Sequence, residues 1–68
     1  MMKSAKKLGE NIRKIRLAKG MIQGDLCRKL GVDGAYMSNV ERGKKNPTLS
    51  TIEPIAKALN VSIEELIK

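Results

Sequence analysis

The chain has 68 residues, enough for one small domain and near the lower limit for a core that folds without disulfides or metal. Cys27 is its single cysteine and histidine is absent, which excludes an internal disulfide and leaves no usual general base or metal-ligand set. We therefore expect no enzyme and no cofactor. No apolar run approaches the ~20 residues of a membrane span and no signal peptide is evident, so we expect a cytoplasmic protein.

Charge is distributed unevenly along the chain. Fourteen Lys and Arg residues against 7 Asp and Glu residues give a net charge of +7. Residues 1–45 hold 12 of the bases and 4 of the acids, whereas residues 46–68 hold 2 bases and 3 acids. A basic surface over most of the domain is typical of a protein that binds a polyanion, and the less charged C-terminal end suits contact with another protein.

The first predicted helix covers about residues 6–18, and Gly20 is expected to stop it. Lys and Arg cover most of its surface, and residues 1–5 are expected to be unstructured. One apolar stripe at helical spacing carries this prediction, and its members are Leu8, Ile12 and Ile15.

The next two predicted helices are short and are joined by a tight turn. They cover about residues 23–30 and 34–42. Gly31 ends the first of them, and Asp33 can cap the second. Two helices joined by a Gly-containing turn of three or four residues are typical of a DNA-binding helix-turn-helix, whose second helix enters the major groove.

A fourth helix is predicted after a loop at residues 44–47, and Pro54 leaves two alternatives for its start. With Thr48 as the cap, Pro54 lies deep in the helix and removes one backbone hydrogen bond. With Thr51 as the cap, Pro54 falls in the first turn, where its missing N–H matters little. We expect a late or kinked start.

The fifth predicted helix begins at a capping box formed by Ser62 and Glu65. Every connection is short, so the predicted fold class is all-α, a compact bundle of five helices in one domain over residues 1–68. Tyr36 is the single aromatic residue. Binders of single-stranded nucleic acid stack bases on several aromatic side chains, so this composition favours duplex DNA.

Several short motifs follow one another in a fixed order between Leu8 and Leu66. They are Ile12-Arg13-Lys14-Ile15-Arg16, Gln23 with Leu26, Leu30-Gly31-Val32, Tyr36-Met37-Ser38, Val40-Glu41-Arg42-Gly43, Asn46-Pro47, and the run from Ile55 to Ser62. The ordered set resembles the Cro and phage-repressor family of helix-turn-helix proteins, also called the Xre family. The resemblance implies a five-helix domain that binds duplex DNA as a homodimer on a two-fold symmetric operator and regulates transcription.

The chain departs from the family pattern at the start of both central helices. Ile22 stands where the family usually has Ser or Thr and has no oxygen to cap the helix, so we expect the second helix to begin loosely. Gly34 and Ala35 stand where the family commonly carries side chains that reach base edges. Ala35 can contact only a thymine methyl, so we expect modest direct specificity and more reliance on DNA deformability.

Base reading is therefore expected from Ser38 and Asn39, together with Ala35 and Tyr36. The amide of Asn39 can donate and accept at once, which matches N6 and N7 of adenine. Ser38 is small enough to let the helix approach the bases. Tyr36 contacts DNA through its hydroxyl or packs its ring at the edge of the domain. The alternative for each residue is an ordinary solvated position.

The resemblance also implies that Gln23, at the start of the second helix, binds a phosphate. Cations are expected over the phosphates beside the third helix, although a run of charge is often only a solvated surface. The residues expected in this role are Arg42, Lys44, Lys45 and Arg13, with Lys14 and Lys19 as weaker candidates.

Two further assignments concern structure and assembly. The resemblance implies that Arg16 and Glu41 form an ion pair that ties the first helix to the third. The apolar stripe of Ile63, Leu66 and Ile67 exceeds what a short terminal helix needs for its own docking, so we expect it to supply dimer contacts as well as part of the core. Dimerisation would place two recognition helices about 34 Å apart, one turn of DNA.

The sequence thus predicts a sequence-specific transcriptional regulator that binds double-stranded DNA as a homodimer, with no small-molecule ligand and no membrane partner. One alternative is a protein-interaction module of the same fold, antitoxin-like or partner-binding, with weak or lost DNA specificity. A second alternative is a binder of structured RNA or of nucleic acid in general. The operator, the sign of regulation and the setting (phage switch, restriction–modification control or toxin–antitoxin locus) stay open.

Overall fold

The computed structural model describes residues 2–45 and 48–68, with side chains described from Ala5 onward. This part of the chain forms five helices and no strand, so the predicted all-α class is confirmed. Residues 46 and 47 of the predicted loop lie outside the described residues. The helices, in chain order, are α1 (Met2–Ala18), α2 (Gln23–Leu30), α3 (Gly34–Glu41), α4 (Leu49–Leu59) and α5 (Ile63–Ile67).

Helix α1 begins one turn earlier than predicted. The expected unstructured start is wrong for residues 2–5, which are helical, whereas Met1 lies outside the described residues. Ala5 is buried and extends the apolar stripe of Leu8 and Ile12 towards the N-terminus. Because alanine is also the best helix former, burial and helix propensity both favour the additional turn.

Short-range capping sets the ends of α2, α3 and α5. Gly31 ends α2 in the left-handed conformation, with φ of 70°. The backbone N–H of Tyr36 donates to the carboxylate of Asp33 at 2.8 Å, which caps α3 as predicted. In the predicted capping box, the N–H of Ser62 donates to Glu65 at 3.1 Å and the N–H of Glu65 donates to the Ser62 hydroxyl at 3.2 Å.

Helix α4 begins at Leu49, so the expected late start is wrong. Thr48 is the N-cap, and its hydroxyl accepts from the N–H of Thr51 at 3.3 Å. Pro54 therefore lies well inside the helix and lacks the N–H that would bond the carbonyl of Ser50. Both residues are exposed, so water can replace the missing hydrogen bond to that carbonyl.

The core takes at least one fully buried large side chain from every helix. Burial of each such side chain contributes about 1.5–3 kcal/mol, so a core without Phe or Trp is held by many modest contributions. Cys27 is buried too. Within the described chain, no helix is long and apolar enough to span a bilayer. The fully buried side chains are Ile12, Leu26, Met37, Ile55, Leu59 and Leu66.

Helix α1 approaches the end of α3 most closely at Gly9. A Cβ atom added to Gly9 would lie 2.5 Å from the carbonyl oxygens of both Val40 and Glu41. Real Cβ atoms do not come this close to backbone oxygens, so glycine is required for the observed distance between the two helices. The sequence analysis gave Gly9 no role.

We expect Gly9→Ala to lower the free energy of unfolding by about 1–3 kcal/mol, because the added methyl group must push α1 away from α3. Gly24→Ala in α2 is the matched control. A Cβ there meets no atom closer than 3.5 Å, so this variant should gain about 0.5–1 kcal/mol from helix propensity. Urea denaturation followed by circular dichroism measures both. A Gly9→Ala protein as stable as wild type would contradict the close approach.

Candidate nucleic-acid interface

A buried ion pair connects the C-terminal ends of α1 and α3. Arg16 donates from Nε to Oε2 of Glu41 at 2.8 Å and from Nη2 to Oε1 at 3.1 Å. Both residues are buried, with 6% of Arg16 and 9% of Glu41 exposed. The third guanidinium nitrogen donates to the carbonyl of Met21 at 2.8 Å, a contact that leaves no trace in the sequence because the acceptor is backbone.

Gln23 adds α2 to this network. Its side-chain nitrogen donates to Oε1 of Glu41 at 3.3 Å, and the residue is half-buried. One carboxylate therefore joins α1, α2 and α3. The sequence analysis expected Gln23 to bind phosphate, and the structure places one of its amide hydrogens on Glu41. An amide nitrogen has two N–H donors, so a second one remains for another acceptor.

The face of α3 opposite the core carries small and uncharged side chains followed by one arginine. Met37, Val40 and Glu41 point into the domain and are buried. With 3.6 residues per turn, the opposite side comprises Ala35, Ser38, Asn39 and Arg42, which we call the outer face of α3. Ala35 and Arg42 are exposed, and Ser38 and Asn39 are half-buried. Three of the four predicted base readers thus share one surface, and it bears no carboxylate.

Tyr36 lies on the flank of α3 rather than on its outer face. It is half-buried, and its ring packs against the hydrophobic core. Lys45 places its Nζ atom 5.4 Å from the centre of the ring, within the range of a cation–π interaction. The ring thus packs at the edge of the domain, and a contact of its hydroxyl with DNA stays a prediction.

The cations proposed to bind phosphate are all exposed. Within the described residues, the ion pairs are Arg16 with Glu41 and Arg28 with Asp25, so no phosphate candidate has a carboxylate partner there. Their charge is therefore available to an external anion. These exposed candidates are Arg13, Lys14, Lys19, Arg42, Lys44 and Lys45.

Helix α2 begins without a side-chain cap, as predicted. Ile22 occupies the N-cap position with an extended backbone, makes no capping hydrogen bond and is 65% exposed. Only the reverse contact forms, in which the N–H of Ile22 donates to Asp25 at 3.0 Å. Helix α2 nevertheless begins at Gln23, because Leu26 and Cys27 anchor it in the core.

The predicted dimer contact at Leu66 is wrong. Leu66 is fully buried within its own domain, and Asn11 on α1 donates its side-chain amide to the carbonyl of Leu66 at 2.8 Å. The stripe on α5 therefore serves mainly to dock α5. Ile67 is 55% exposed and Ile63 is half-buried, so these two members remain accessible to a partner.

The Helix-turn-helix family model HTH_3 matches residues 12–66. An uncharacterized HTH-type transcriptional regulator of Sinorhizobium fredii, y4dJ, is 38% identical to this chain, and the match covers 97% of this chain and 86% of that protein. Other relatives are longer, since the chain spans 57% of a hypothetical transcription factor of Neisseria meningitidis and 42% of the immunity repressor of Bacillus phage phi105.

Two solved structures of restriction-modification controller proteins are similar to this chain. C.AhdI of Aeromonas hydrophila has a TM-score of 0.84 and 39% identity, over 91% of this chain and 94% of that one. C.Esp1396I, solved as a tetramer in complex with its natural 35 base-pair operator, has a TM-score of 0.78 and 40% identity, over 94% of this chain and 95% of that one.

We expect Glu41→Ala to lower the free energy of unfolding by about 3–5 kcal/mol, because it leaves the guanidinium of Arg16 buried without its carboxylate. Replacing both partners, as Arg16→Met with Glu41→Leu, removes both charges and should destabilise the domain less than the single change. Thermal and urea unfolding measure the difference. A double variant less stable than Glu41→Ala would contradict the burial argument.

Proposed function

The chain belongs to the HTH_3 family of helix-turn-helix proteins, and we propose that it is a sequence-specific transcriptional regulator that binds duplex DNA as a homodimer. The observation that carries this proposal is the outer face of α3. It bears no carboxylate, and exposed cations with no carboxylate partner among the described residues follow it directly in the chain. Several relatives are named as transcriptional regulators or controllers of restriction-modification, which supports the same conclusion.

The side chains of the outer face suit the major groove, which admits an α-helix. The Asn39 amide can accept from N6 and donate to N7 of one adenine, for about 1–3 kcal/mol of discrimination. Ser38 and Ala35 are short, so the backbone of α3 can lie close to the bases. Because Gly34 and Ala35 supply no polar group, the remaining specificity depends on the shape and deformability of the DNA.

Affinity is proposed to come mainly from phosphate contacts. Arg42, Lys44 and Lys45 follow the recognition helix, and Arg13 lies on the exposed side of α1. Each cation that neutralises a phosphate releases condensed counterions, so binding weakens steeply as salt rises. Gln23 would add one further phosphate contact through its second amide hydrogen, because the first is donated to Glu41.

The proposed homodimer uses the end of the domain formed by α4 and α5. Ile67 and Ile63 are the accessible apolar residues of α5, and Ile63 lines an open groove together with Pro54 and Lys57. A two-fold dimer would present two copies of α3 to half-sites about 34 Å apart. The tetramer of C.Esp1396I on its operator supports assembly on DNA in this proposal.

Among the settings that the sequence left open, restriction–modification control fits best. The controller proteins C.AhdI and C.Esp1396I are matched over 94% and 95% of their length, so they share the size of this domain. We propose that the protein acts in the cytoplasm without an enzymatic activity or a small-molecule ligand. A protein-interaction module lacking DNA specificity is the alternative that the following experiment tests.

Selection from a pool of random duplexes, followed by gel shifts over a salt series, tests the function. We expect an enriched motif with two-fold symmetry and a steep loss of affinity between 50 and 200 mM salt, roughly the range over which several phosphate contacts lose 10³-fold or more. Competition with RNA should leave the duplex complex intact. No enriched motif together with a flat salt response would exclude the proposal.

Asn39→Ala is expected to relax the preference at one base position in each half-site and to cost about 1–3 kcal/mol at each contact. Arg42→Gln is the contrasting variant. Loss of a phosphate contact should weaken binding to all sequences alike and reduce the salt slope by about 0.9 for each protomer, or about 1.8 for the dimer. Repeating the selection with both variants separates the two roles. An unchanged preference in the Asn39→Ala protein would remove Asn39 from the base-reading surface.

Ile67→Asp is expected to weaken the homodimer by at least about tenfold, because burying an unpaired carboxylate in an apolar interface costs more than the ~1.4 kcal/mol that corresponds to tenfold. Leu17→Asp is the matched control, since Leu17 is an apolar residue of similar exposure, 53%, in the last turn of α1. Sedimentation equilibrium over a concentration series measures both. Dimers weakened equally by the two changes would show that the interface lies elsewhere.

A further inference from the structure

The beginning of α1 lies against the turn that follows α3. Gly43 adopts the left-handed conformation there, with φ of +78°. A Cβ atom at this position would lie 2.7 Å from the Cα atom of Lys6 and 3.2 Å from its Cβ atom. The two backbones are therefore in direct contact, and the side chain of Lys6 begins beside the turn that carries Arg42 and Lys44.

This contact brings Lys6 close to Arg42 and Lys44, two cations that are distant from it in the sequence. Because Gly43 adjoins both Arg42 and Lys44, the Cα atoms of these residues lie within about 8 Å of that of Lys6. All three side chains are exposed, and none takes part in an ion pair of the described residues. Long, exposed side chains that start this close together can converge on one external anion, which attracts all three positive charges.

The carboxylates nearest in the chain do not neutralise this cluster. Glu41, one residue before Arg42, is buried and bound by Arg16. Glu10, one helical turn after Lys6, is exposed but forms no ion pair with it at 4 Å or less. The cluster thus faces solvent as a region of uncompensated positive charge at the C-terminal end of the recognition helix.

Two neighbouring lysines of α1 differ sharply in position. Lys6 touches Gly43, and Arg13, seven residues later, lies within about 20° of it around the helix axis. Lys7 is rotated by about 100° from Lys6 and so lies on another side of α1. Both lysines are exposed and carry the same charge, so net charge cannot explain a difference between them.

On the basis of the proposed function, we propose that Lys6 is a DNA-binding residue that forms one phosphate site with Arg42 and Lys44. Its ligand is a backbone phosphate of the duplex strand that borders the C-terminal end of α3. Helix α1 contacts α3 at Gly9, and it contacts the turn that follows α3 at Gly43. These two contacts fix the backbone of Lys6 relative to the recognition helix. Lys6 therefore acts in register with α3 and adds affinity without base preference.

The test compares Lys6→Gln with Lys7→Gln on a selected operator duplex over a salt series. Lys6→Gln should reduce the slope of log K against log salt by about 0.9 for each protomer, or about 1.8 for the dimer, with base preference unchanged. Lys7→Gln should keep the wild-type slope. Thermal unfolding of both variants should match wild type, because neither side chain is buried.

A wild-type slope in the Lys6→Gln protein, or equal reductions in both variants, would overturn the assignment of Lys6. These results leave the proposed function intact, because wild type still binds the duplex. A wild-type protein that shows no salt-dependent binding to any duplex would overturn the proposed function and this assignment with it.

Discussion

The carboxylate of Glu41 is the contact on which the arrangement of the first three helices depends. It accepts two hydrogen bonds from Arg16 and one from Gln23, so it joins the ends of α1 and α3 to the start of α2. A buried charge with good geometry tolerates little displacement, because each partner has lost its hydration. Gly9 complements this contact by letting the backbones of α1 and α3 meet. The orientation of the outer face of α3 follows from these two constraints.

Local features made much of the fold predictable. The bounds of α2 agree with the prediction, because Gly31, which ends the helix, acts within a few residues of the chain. The caps at Asp33 and Ser62 were predictable for the same reason. The predicted late start of α4 was wrong, since the sequence pattern does not reveal that Ser50 and Pro54 are both exposed, so that water can replace the missing hydrogen bond.

Tertiary features were not predictable in the same way. An apolar stripe indicates that a residue is buried, but it does not show whether its own domain or a partner buries it. Leu66 was therefore assigned to a dimer contact, although it is buried inside its own domain. The close contacts at Gly9 and Gly43 depend on helices distant in sequence. The outer face of α3 was largely predictable from helical periodicity. The position of Lys6 beside the C-terminal end of α3 was not, because it depends on how α1 packs against α3.

The central claim is that the outer face of α3 meets the bases of a duplex. Backbone amide chemical shifts, recorded while a selected operator duplex is added to the labelled protein, test it most directly. We expect the largest changes in chemical shift at Ala35, Ser38, Asn39 and Arg42 and at the lysines that follow them, with small changes along α4. Large shifts confined to α4 and α5, with the outer face of α3 unchanged, would contradict it.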